Sequence, residues 1–317
     1  SPRDMTGEGV TSRDLPTLPQ SPSGFDECRF VLAGSTALMM AMLAPASAKT
    51  IDVVAGFTVL ADVVQNVGGD HVKVKSLVPP NGDPHDYEPS PDDAKAINAA
   101  AATFLSGEGL EGWLERLAKA AGGGVDPIIV SDGIKTHDME EDGEQVTDPH
   151  VWNSAANVLV WIDNIEAALV KADPEDEADI KASADAYRKK IEALDASIKQ
   201  DIAAVPEAKR KVMTSHDAFG YYGEEYGMTF LAPLGVSTEV EPSASDVAKL
   251  IDQIKEDGVK VYFIENSNDP RLVEQIAKAT GAQPGGELYP EALSEADSPA
   301  PTYIKLMEYN TDQIVNA

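Results

Sequence analysis

The sequence predicts an α/β protein with two lobes of parallel sheet flanked by helices, joined by one long rigid linker helix. Short β-branched runs alternate with amphipathic helical segments in both halves of the chain, which is the pattern of parallel sheets. Between the halves, residues 173–204 carry one continuous apolar stripe. A helix of this length spans roughly 45 Å, which is longer than a crossover helix needs, so we interpret it as a spine between two domains.

Residues 1–48 are predicted to precede the folded protein as a leader or tag followed by a signal peptide. An apolar run follows Arg29 and ends in small residues at Ala48, the three-part plan of a secretory signal. The run is too short for a comfortable membrane span. The single cysteine, Cys28, lies in this part, so a mature chain starting at Lys49 has no disulfide and is expected in the periplasm.

Residues 49–172 are predicted to form the N-terminal lobe. Strands and helices alternate in the order strand 51–55, helix capped by Thr58, strand 72–78, helix beginning at Ser90-Pro91, strand 103–106, helix 111–121 and strand 127–130. Residues 131–149 are polar and acidic, which predicts a mobile loop, and a further helix begins near Ser154.

Residues 205–317 are predicted to form the C-terminal lobe. The same alternation gives strand 211–214, strand 228–232, a helix capped by Ser243 and Asp246, strand 259–264 and a helix over 270–280 that Gly281 ends. Ligands of parallel sheets collect at the carboxyl ends of the strands, which is where such a chain is expected to carry its site.

Three of the five histidines mark a candidate metal site. His85, His150 and His216 each lie beside an acidic residue in a polar break, and His85 and His216 follow predicted strands. Imidazole nitrogen suits zinc, and a nearby carboxylate orients the ring. Taken singly, each is more often an ordinary surface histidine, but the shared context favours a site assembled from distant segments.

The net charge of −29 argues against nucleic acid and anionic membranes as partners and creates a field that attracts cations. The sequence contains neither His-Glu-x-x-His nor Gly-x-Ser-x-Gly. A secreted zinc hydrolase using the three histidines is therefore a minor alternative to a binding protein.

Three linked motifs resemble a known family. Gly82 to Pro91 around His85, Asp148-Pro149-His150-Val151-Trp152, and Ser215-His216-Asp217-Ala218-Phe219 are similar to those of cluster A-I (cluster 9) solute-binding proteins of metal ABC transporters. The resemblance covers essentially all of 49–317 and is strongest to the periplasmic zinc-binding type. It implies two α/β lobes joined by a rigid helix, with one metal ion held between them.

The resemblance also implies the ligands. His85 and His150 correspond to the first-lobe ligands, His216 to the first ligand of the second lobe, and Glu291 takes the place of the family's aspartate. Because glutamate is longer, Asp297 is retained as an alternative fourth ligand, and the weaker candidates are Glu239, Glu241 and Glu265.

Family members that resemble manganese transporters tend to carry a carboxylate where this chain has His216. Three imidazoles and one carboxylate favour tetrahedral zinc. The sequence does not exclude binding of nickel, cobalt or copper ions in vitro. Many zinc members carry a histidine-rich insert before the Asp-Pro-His motif, whereas residues 131–149 hold only His137. Either the acids of this loop attract zinc, or the insert was shortened, or the loop is simply solvated.

The implied function is capture of Zn²⁺ and delivery to an ABC permease in the inner membrane, without catalysis. A periplasmic zinc chaperone is a further candidate partner, and the protein is expected to be a monomer. A carrier of manganese or another divalent metal is the alternative within the family.

Several other side chains receive ordinary interpretations. The three tryptophans are expected to pack in the core, His71 to lie on the surface, and Tyr221-Tyr222 to pack or to line the site. Asp86 and Asp217 are the expected carboxylate partners of the neighbouring ligand histidines.

Overall fold

The first sheet builds the first lobe of the computed structural model, which describes residues 50–122, 126–141 and 144–317. Residues 1–48, with the predicted signal peptide, lie outside the described residues. The sheet has four parallel strands in the order β2-β1-β3-β4, namely β1 (Ile51–Ala55), β2 (Val72–Ser76), β3 (Ala102–Leu105) and β4 (Ile128–Ile129). β1 is central, and four of its five residues are buried.

Four helices accompany these strands: α1 (Thr58–Gly68), α2 (Pro91–Ala99), α3 (Gly112–Ala121) and α4 (Ala155–Ala172). α2 begins as predicted, because Ser90 and Asp93 form a reciprocal capping box around Pro91. The predicted cap at Thr58 is wrong. Phe57 is the N-cap of α1, and the Thr58 hydroxyl instead accepts a hydrogen bond of 2.8 Å from the Leu293 amide of the second half.

The acidic segment before His150 contains a hairpin where the sequence predicted only a loop. β5 (Asp138–Glu141) pairs antiparallel with β6 (Glu144–Thr147), with Met139 opposite Val146. The Thr147 hydroxyl donates to Asp138 Oδ1 at 2.7 Å. Acidic residues are depleted in strands, so composition hid a pairing that the two apolar residues and this hydrogen bond support.

The long helix exists and is slightly shorter than predicted. A 3₁₀ turn over Pro174–Asp176 precedes α5 (Glu177–Ala203) of 27 residues. All of its predicted stripe is buried, that is Ile180, Ala184, Tyr187, Ile191, Leu194, Ile198 and Ile202. This face packs against α1 and α4 and belongs to an apolar cluster that also includes residues of both sheets.

The prediction that His71 lies on the surface is wrong. His71 lies in the turn before β2 and is only 8% exposed. Nδ1 lies 3.0 Å from Asp176 Oδ2 and Nε2 lies 3.5 Å from Asp179 Oδ2. The spine covers this edge of the first lobe, a tertiary contact that the local sequence does not show.

The second lobe repeats the architecture. Its parallel sheet has the order β10-β9-β7-β8, with β7 (Lys211–Met213), β8 (Thr229–Leu231), β9 (Val261–Glu265) and β10 (Gln283–Leu288). The helices are α6 (Gly220–Tyr226), α7 (Ala244–Asp257), α8 (Arg271–Thr280) and α9 (Tyr303–Asn316). Ser243 caps α7 and Gly281 ends α8, as predicted. The two parallel sheets with flanking helices confirm the α/β prediction.

α9 connects the second lobe back to the rest of the protein. It packs against α5 and β10. The Tyr303 amide donates to Asp62 Oδ2 of α1 at 2.9 Å, and the Tyr303 hydroxyl donates to the Trp152 carbonyl at 2.7 Å. Within the described residues, none of the helices is both long enough and apolar enough to cross a membrane.

Candidate metal site

Four side chains from both lobes converge on one point. Nε2 of His150 lies 3.1 Å from Nε2 of His85 and 3.3 Å from Nε2 of His216. Oε2 of Glu291 lies 3.2, 3.5 and 3.4 Å from the Nε2 atoms of His85, His150 and His216. The side chains of His150, His216 and Glu291 are fully buried, and that of His85 is 5% exposed.

Five of the six distances among these four atoms run from 3.1 to 3.5 Å, and all four atoms lie within 4.8 Å of one another. Atoms about 3.3 Å apart at the corners of a tetrahedron lie about 2.0 Å from its centre, close to zinc–nitrogen and zinc–carboxylate bond lengths of roughly 2.0–2.2 Å. The cluster can therefore enclose one small divalent cation and fill its coordination.

The two first-lobe histidines are presented by the same local structure. In each Asp-Pro-His segment, the aspartate accepts from the backbone amide of the histidine two residues later, at 2.8 Å for Asp83–His85 and 3.0 Å for Asp148–His150. Aspartate favours this turn, and proline fixes the φ angle of its middle residue. Both Asp-Pro-His motifs therefore form the same turn, which directs the histidine side chain away from its loop.

Carboxylates outside the cluster orient two of the rings. His150 Nδ1 lies 2.8 Å from Asp148 Oδ1, and His216 Nδ1 lies 2.5 Å from Glu265 Oε2. A proton on Nδ1 satisfies each carboxylate and leaves the Nε2 lone pair directed into the cluster. Glu265, at the end of β9, also accepts from the His216 amide at 3.1 Å.

The expectation that Asp86 and Asp217 are these partners is wrong. Asp86 is exposed, and Asp217 hydrogen-bonds through its backbone amide to Leu234 and Gly235. Burial raises the pKa of the Asp217 carboxyl to about 6. The repeated Asp-Pro-His pattern was the signal that could have identified Asp148. No local pattern links Glu265 to His216, which is 49 residues away.

Glu291 is held so that one oxygen faces the histidines. Ser267 donates its hydroxyl to Oε1 at 2.9 Å. Oε2 is buried and accepts no well-formed hydrogen bond, although three imidazole nitrogens lie nearby. A buried carboxylate oxygen without a donor is unfavourable unless a cation or a proton compensates it.

The pKa shifts in the metal-free cluster also show that positive charge beside Glu291 is favourable. Burial alone would raise the pKa of the Glu291 carboxyl, but the nearby His216 and His85 outweigh it and the pKa lies well below its usual value. Burial would lower the pKa of His216, yet Glu265 and Glu291 raise it well above its usual range. The pKa of His150 is also raised, because Asp148 and Glu291 outweigh its burial. Protons and a metal ion therefore compete for this site.

The other candidates for the fourth ligand lie elsewhere. Glu265 is engaged with His216, while Asp297 and Glu241 are exposed. Glu239 lines a cavity of about 360 Å³ that also touches His85, Glu108 and Thr147 of β6. This cavity gives the cluster a route to solvent beside His85.

The tryptophans are buried as expected, and they also hold the site. The Trp113 indole donates to the Pro84 carbonyl beside His85 at 2.8 Å. The Trp152 indole donates to the Pro290 carbonyl beside Glu291 at 2.9 Å. Asn153 donates its side-chain amide to the Pro290 carbonyl at 3.1 Å and to the Ala218 carbonyl at 2.9 Å. No sequence pattern indicated that these packing residues also hydrogen-bond to the loops that carry the candidate ligands.

Known proteins are similar to this chain in sequence and in fold. Residues 53–317 match the profile of the protein family ZnuA, the periplasmic zinc-uptake complex component A. The chain is 34% identical to the iron-binding protein YfeA of Yersinia pestis over 269 residues, 84% of this chain and 86% of that protein. It is also 34% identical to the manganese-binding lipoprotein MntA of Bacillus subtilis over 275 residues, 85% of this chain and 90% of that protein.

A solved structure agrees with these matches. The periplasmic zinc-binding protein TroA of Treponema pallidum has a TM-score of 0.79 at 28% identity, covering 84% of this chain and 98% of that chain. The motifs, the fold and these matches together show that the chain belongs to the ZnuA family, the metal-binding cluster A-I solute-binding proteins of ABC transporters.

Proposed function

We propose that this protein captures Zn²⁺ with His85, His150, His216 and Glu291 and delivers it to a cognate ABC permease in the inner membrane. The observation that carries the proposal is the convergence of four side-chain atoms, with five of their six separations between 3.1 and 3.5 Å. Four-coordinate tetrahedral binding by imidazole and carboxylate is the preferred geometry of zinc.

The proposal of a carrier rather than an enzyme rests on how the coordination is filled. A zinc hydrolase needs three protein ligands and an open position for water. Here Glu291 Oε2 lies 3.2 to 3.5 Å from the three imidazole nitrogens and would take the fourth position, while Ser267 donates to Oε1 of the same carboxylate. Zinc enclosed in this way has no activated water to attack a substrate.

Manganese or iron is the second candidate cargo, because two relatives that are each 34% identical to this chain are named as binders of those metals. Manganese prefers more oxygen ligands than this cluster offers. The distinguishing atom is Glu291 Oε1, which Ser267 engages at 2.9 Å. While that hydrogen bond persists, Glu291 binds through one oxygen and the site favours four-coordinate zinc over larger coordination shells.

We also propose that residues 49–172 and 205–317 act as two metal-binding lobes on the rigid connection 173–204. The spine is a continuous helix of 27 residues whose apolar face is buried along its length. Such an element resists bending, so metal binding orders the loops at the cluster rather than closing a wide hinge. The ordered loops form the surface that the permease recognises, in a protein that works as a periplasmic monomer.

The test is competitive metal binding by the metal-free chain 49–317. Titration against a chelator of known affinity measures Zn²⁺ binding, and Mn²⁺ and Fe²⁺ are then added as competitors. We expect one tightly bound zinc per chain, not displaced by a tenfold excess of Mn²⁺. His216→Ala and Glu291→Ala should each weaken binding strongly, whereas His71→Ala, distant from the cluster, should not. Unchanged zinc affinity in both site variants would refute the proposal, and preferential Mn²⁺ binding would reassign the cargo.

A further inference from the structure

His137 is the one histidine of the acidic segment, and none of the four converging atoms belongs to it. Its ring stacks on Tyr221 of α6, with centroids 4.2 Å apart and planes at 29°. Nε2 lies 3.1 Å from Asp148 Oδ2, and Nδ1 lies 3.3 Å from Glu224 Oε2. The His137 side chain is 30% exposed and that of Glu224 is 67% exposed, so these contacts lead from the buried site towards solvent.

Asp148 connects His137 to the metal cluster. Its carboxylate is fully buried, and each oxygen contacts a different histidine. Oδ1 accepts hydrogen bonds from the backbone amide and Nδ1 of His150, whereas Oδ2 faces His137 Nε2. The carboxylate that orients a ligand ring is therefore also contacted on its other side by His137.

Gly220, the first residue of α6 in the second lobe, leaves room for the contact between Asp148 and His137. A Cβ atom at Gly220 would lie 2.6 Å from Asp148 Oδ2 and 3.0 Å from His137 Nε2, so a side chain there would push the pair apart. The hydroxyl of Tyr221 donates to the Asp148 carbonyl at 2.7 Å. The second lobe thus contacts Asp148 in two ways. Tyr221 hydrogen-bonds to the Asp148 carbonyl, and the absence of a side chain at Gly220 leaves room for the Asp148 carboxylate beside His137.

We propose that His137 is a positioning residue that controls how long the metal is retained, an inference that rests on the proposed function. Its Nε2–H donates to Asp148 Oδ2 and fixes the carboxylate, which in turn keeps His150 Nε2 directed at the ion. The ion leaves when a ligand ring turns away, so loosening Asp148 accelerates release. Neither His137 nor Asp148 lines the cavity beside His85, so we expect the same change to leave the rate of metal entry unaffected.

Two substitutions separate the hydrogen bond from the stacking. His137→Gln retains an amide N–H donor near the position of Nε2 and loses the aromatic ring. His137→Phe retains a ring against Tyr221 and loses the donor. Loss of the direct outer partner of a ligating histidine, here Asp148, weakens metal binding about 10- to 100-fold, and because His137 acts through Asp148 we expect the lower end of that range. We expect His137→Phe to raise the zinc dissociation rate about 10-fold at an unchanged association rate, and His137→Gln to stay within about 3-fold of wild type.

Gly220→Ala provides an independent variant, because it separates Asp148 from His137 without removing any polar group. It should raise the dissociation rate in the same direction as His137→Phe. His71→Phe is the matched control, since it makes the same replacement at a histidine that contacts two aspartates away from the cluster. Its dissociation rate should equal that of wild type, and the melting temperature of each metal-free variant reports any general loss of folding.

The measurements are stopped-flow zinc dissociation into excess chelator, zinc association with an indicator dye, and NMR of the His150 ring nitrogens in the metal-free chain. The proposal predicts that the His150 nitrogen shifts change in His137→Phe and are retained in His137→Gln. Equal release from the Phe and Gln variants, or release from His137→Phe as slow as from wild type, would overturn the role of the donor. Absence of zinc binding by wild type would refute the proposed function itself, while the NMR comparison would still test whether His137 positions His150.

Discussion

Replacing Glu291 by Gln tests how much its buried charge contributes to metal affinity and to the stability of the metal-free fold. The amide has the size of the carboxylate and retains an oxygen for the Ser267 hydrogen bond. It removes the charge at a buried atom that lies 3.2, 3.5 and 3.4 Å from three imidazole nitrogens.

Both expected effects are losses. Breaking a fully buried ionic interaction costs about 3–5 kcal/mol, so zinc affinity should fall about 10²- to 10⁴-fold. In the metal-free protein His216 and His85 hold the pKa of the Glu291 carboxyl well below its usual value, so its charge also stabilises the fold at neutral pH. The melting temperature of the metal-free chain should therefore fall, and its increase on adding zinc should shrink.

Chelator competition and thermal unfolding with and without zinc measure both quantities. Glu111→Gln is the matched control, because Glu111 is also buried but accepts hydrogen bonds from the backbone amides of Ser106 and Gly107 and is not one of the four converging side chains. It should leave zinc affinity unchanged. A Glu291→Gln protein that melts much earlier without metal yet binds zinc normally would show that Glu291 holds the loop rather than the ion, and would refute the reasoning.

Three further outcomes are expected. Because the pKa values of metal-free His150 and His216 are raised, protons begin to compete above pH 6.5, and zinc affinity measured by chelator competition should fall steadily from pH 8 to pH 5; a flat profile would contradict this. Burial raises the pKa of Asp62 to about 6, so the folded protein loses stability as pH rises through that value, and Asp62→Asn should be about 1–2 kcal/mol more stable than wild type in urea at pH 7 but not at pH 4. Ile191→Ala, in the fully buried stripe of α5, should lower the free energy of unfolding by about 2–4 kcal/mol without altering zinc affinity of the folded protein; a smaller loss would mean that the spine is held loosely.

Features set by neighbouring residues could be predicted from the sequence. The capping box at Ser90 and Asp93, the cap at Ser243 and the buried stripe of α5 all depend on side chains within one or two helical turns. The repeated Asp-Pro-His motif belongs to this group, because its turn closes within three residues.

Features set by packing between distant segments could not be predicted. The burial of His71 depends on the spine lying across the start of β2. The pairing of Glu265 with His216 depends on the parallel neighbours β9 and β7. Thr58 resembles a helix cap by its position, but its hydroxyl accepts from Leu293, a residue 235 positions away.

The grip of Trp152 and Asn153 on the second lobe has a thermodynamic consequence. These residues follow His150 by two and three positions, and they bind the Pro290 carbonyl, one peptide before Glu291. Asn153 also binds the Ala218 carbonyl, two residues after His216. The segments that carry His150, Glu291 and His216 are therefore already joined in the structure without an ion, so ordering the remaining parts of these loops on metal binding should cost less conformational entropy than ordering free loops. Under the proposed function, a partner that weakened these contacts would make it easier for a ligand ring to turn away and release the ion.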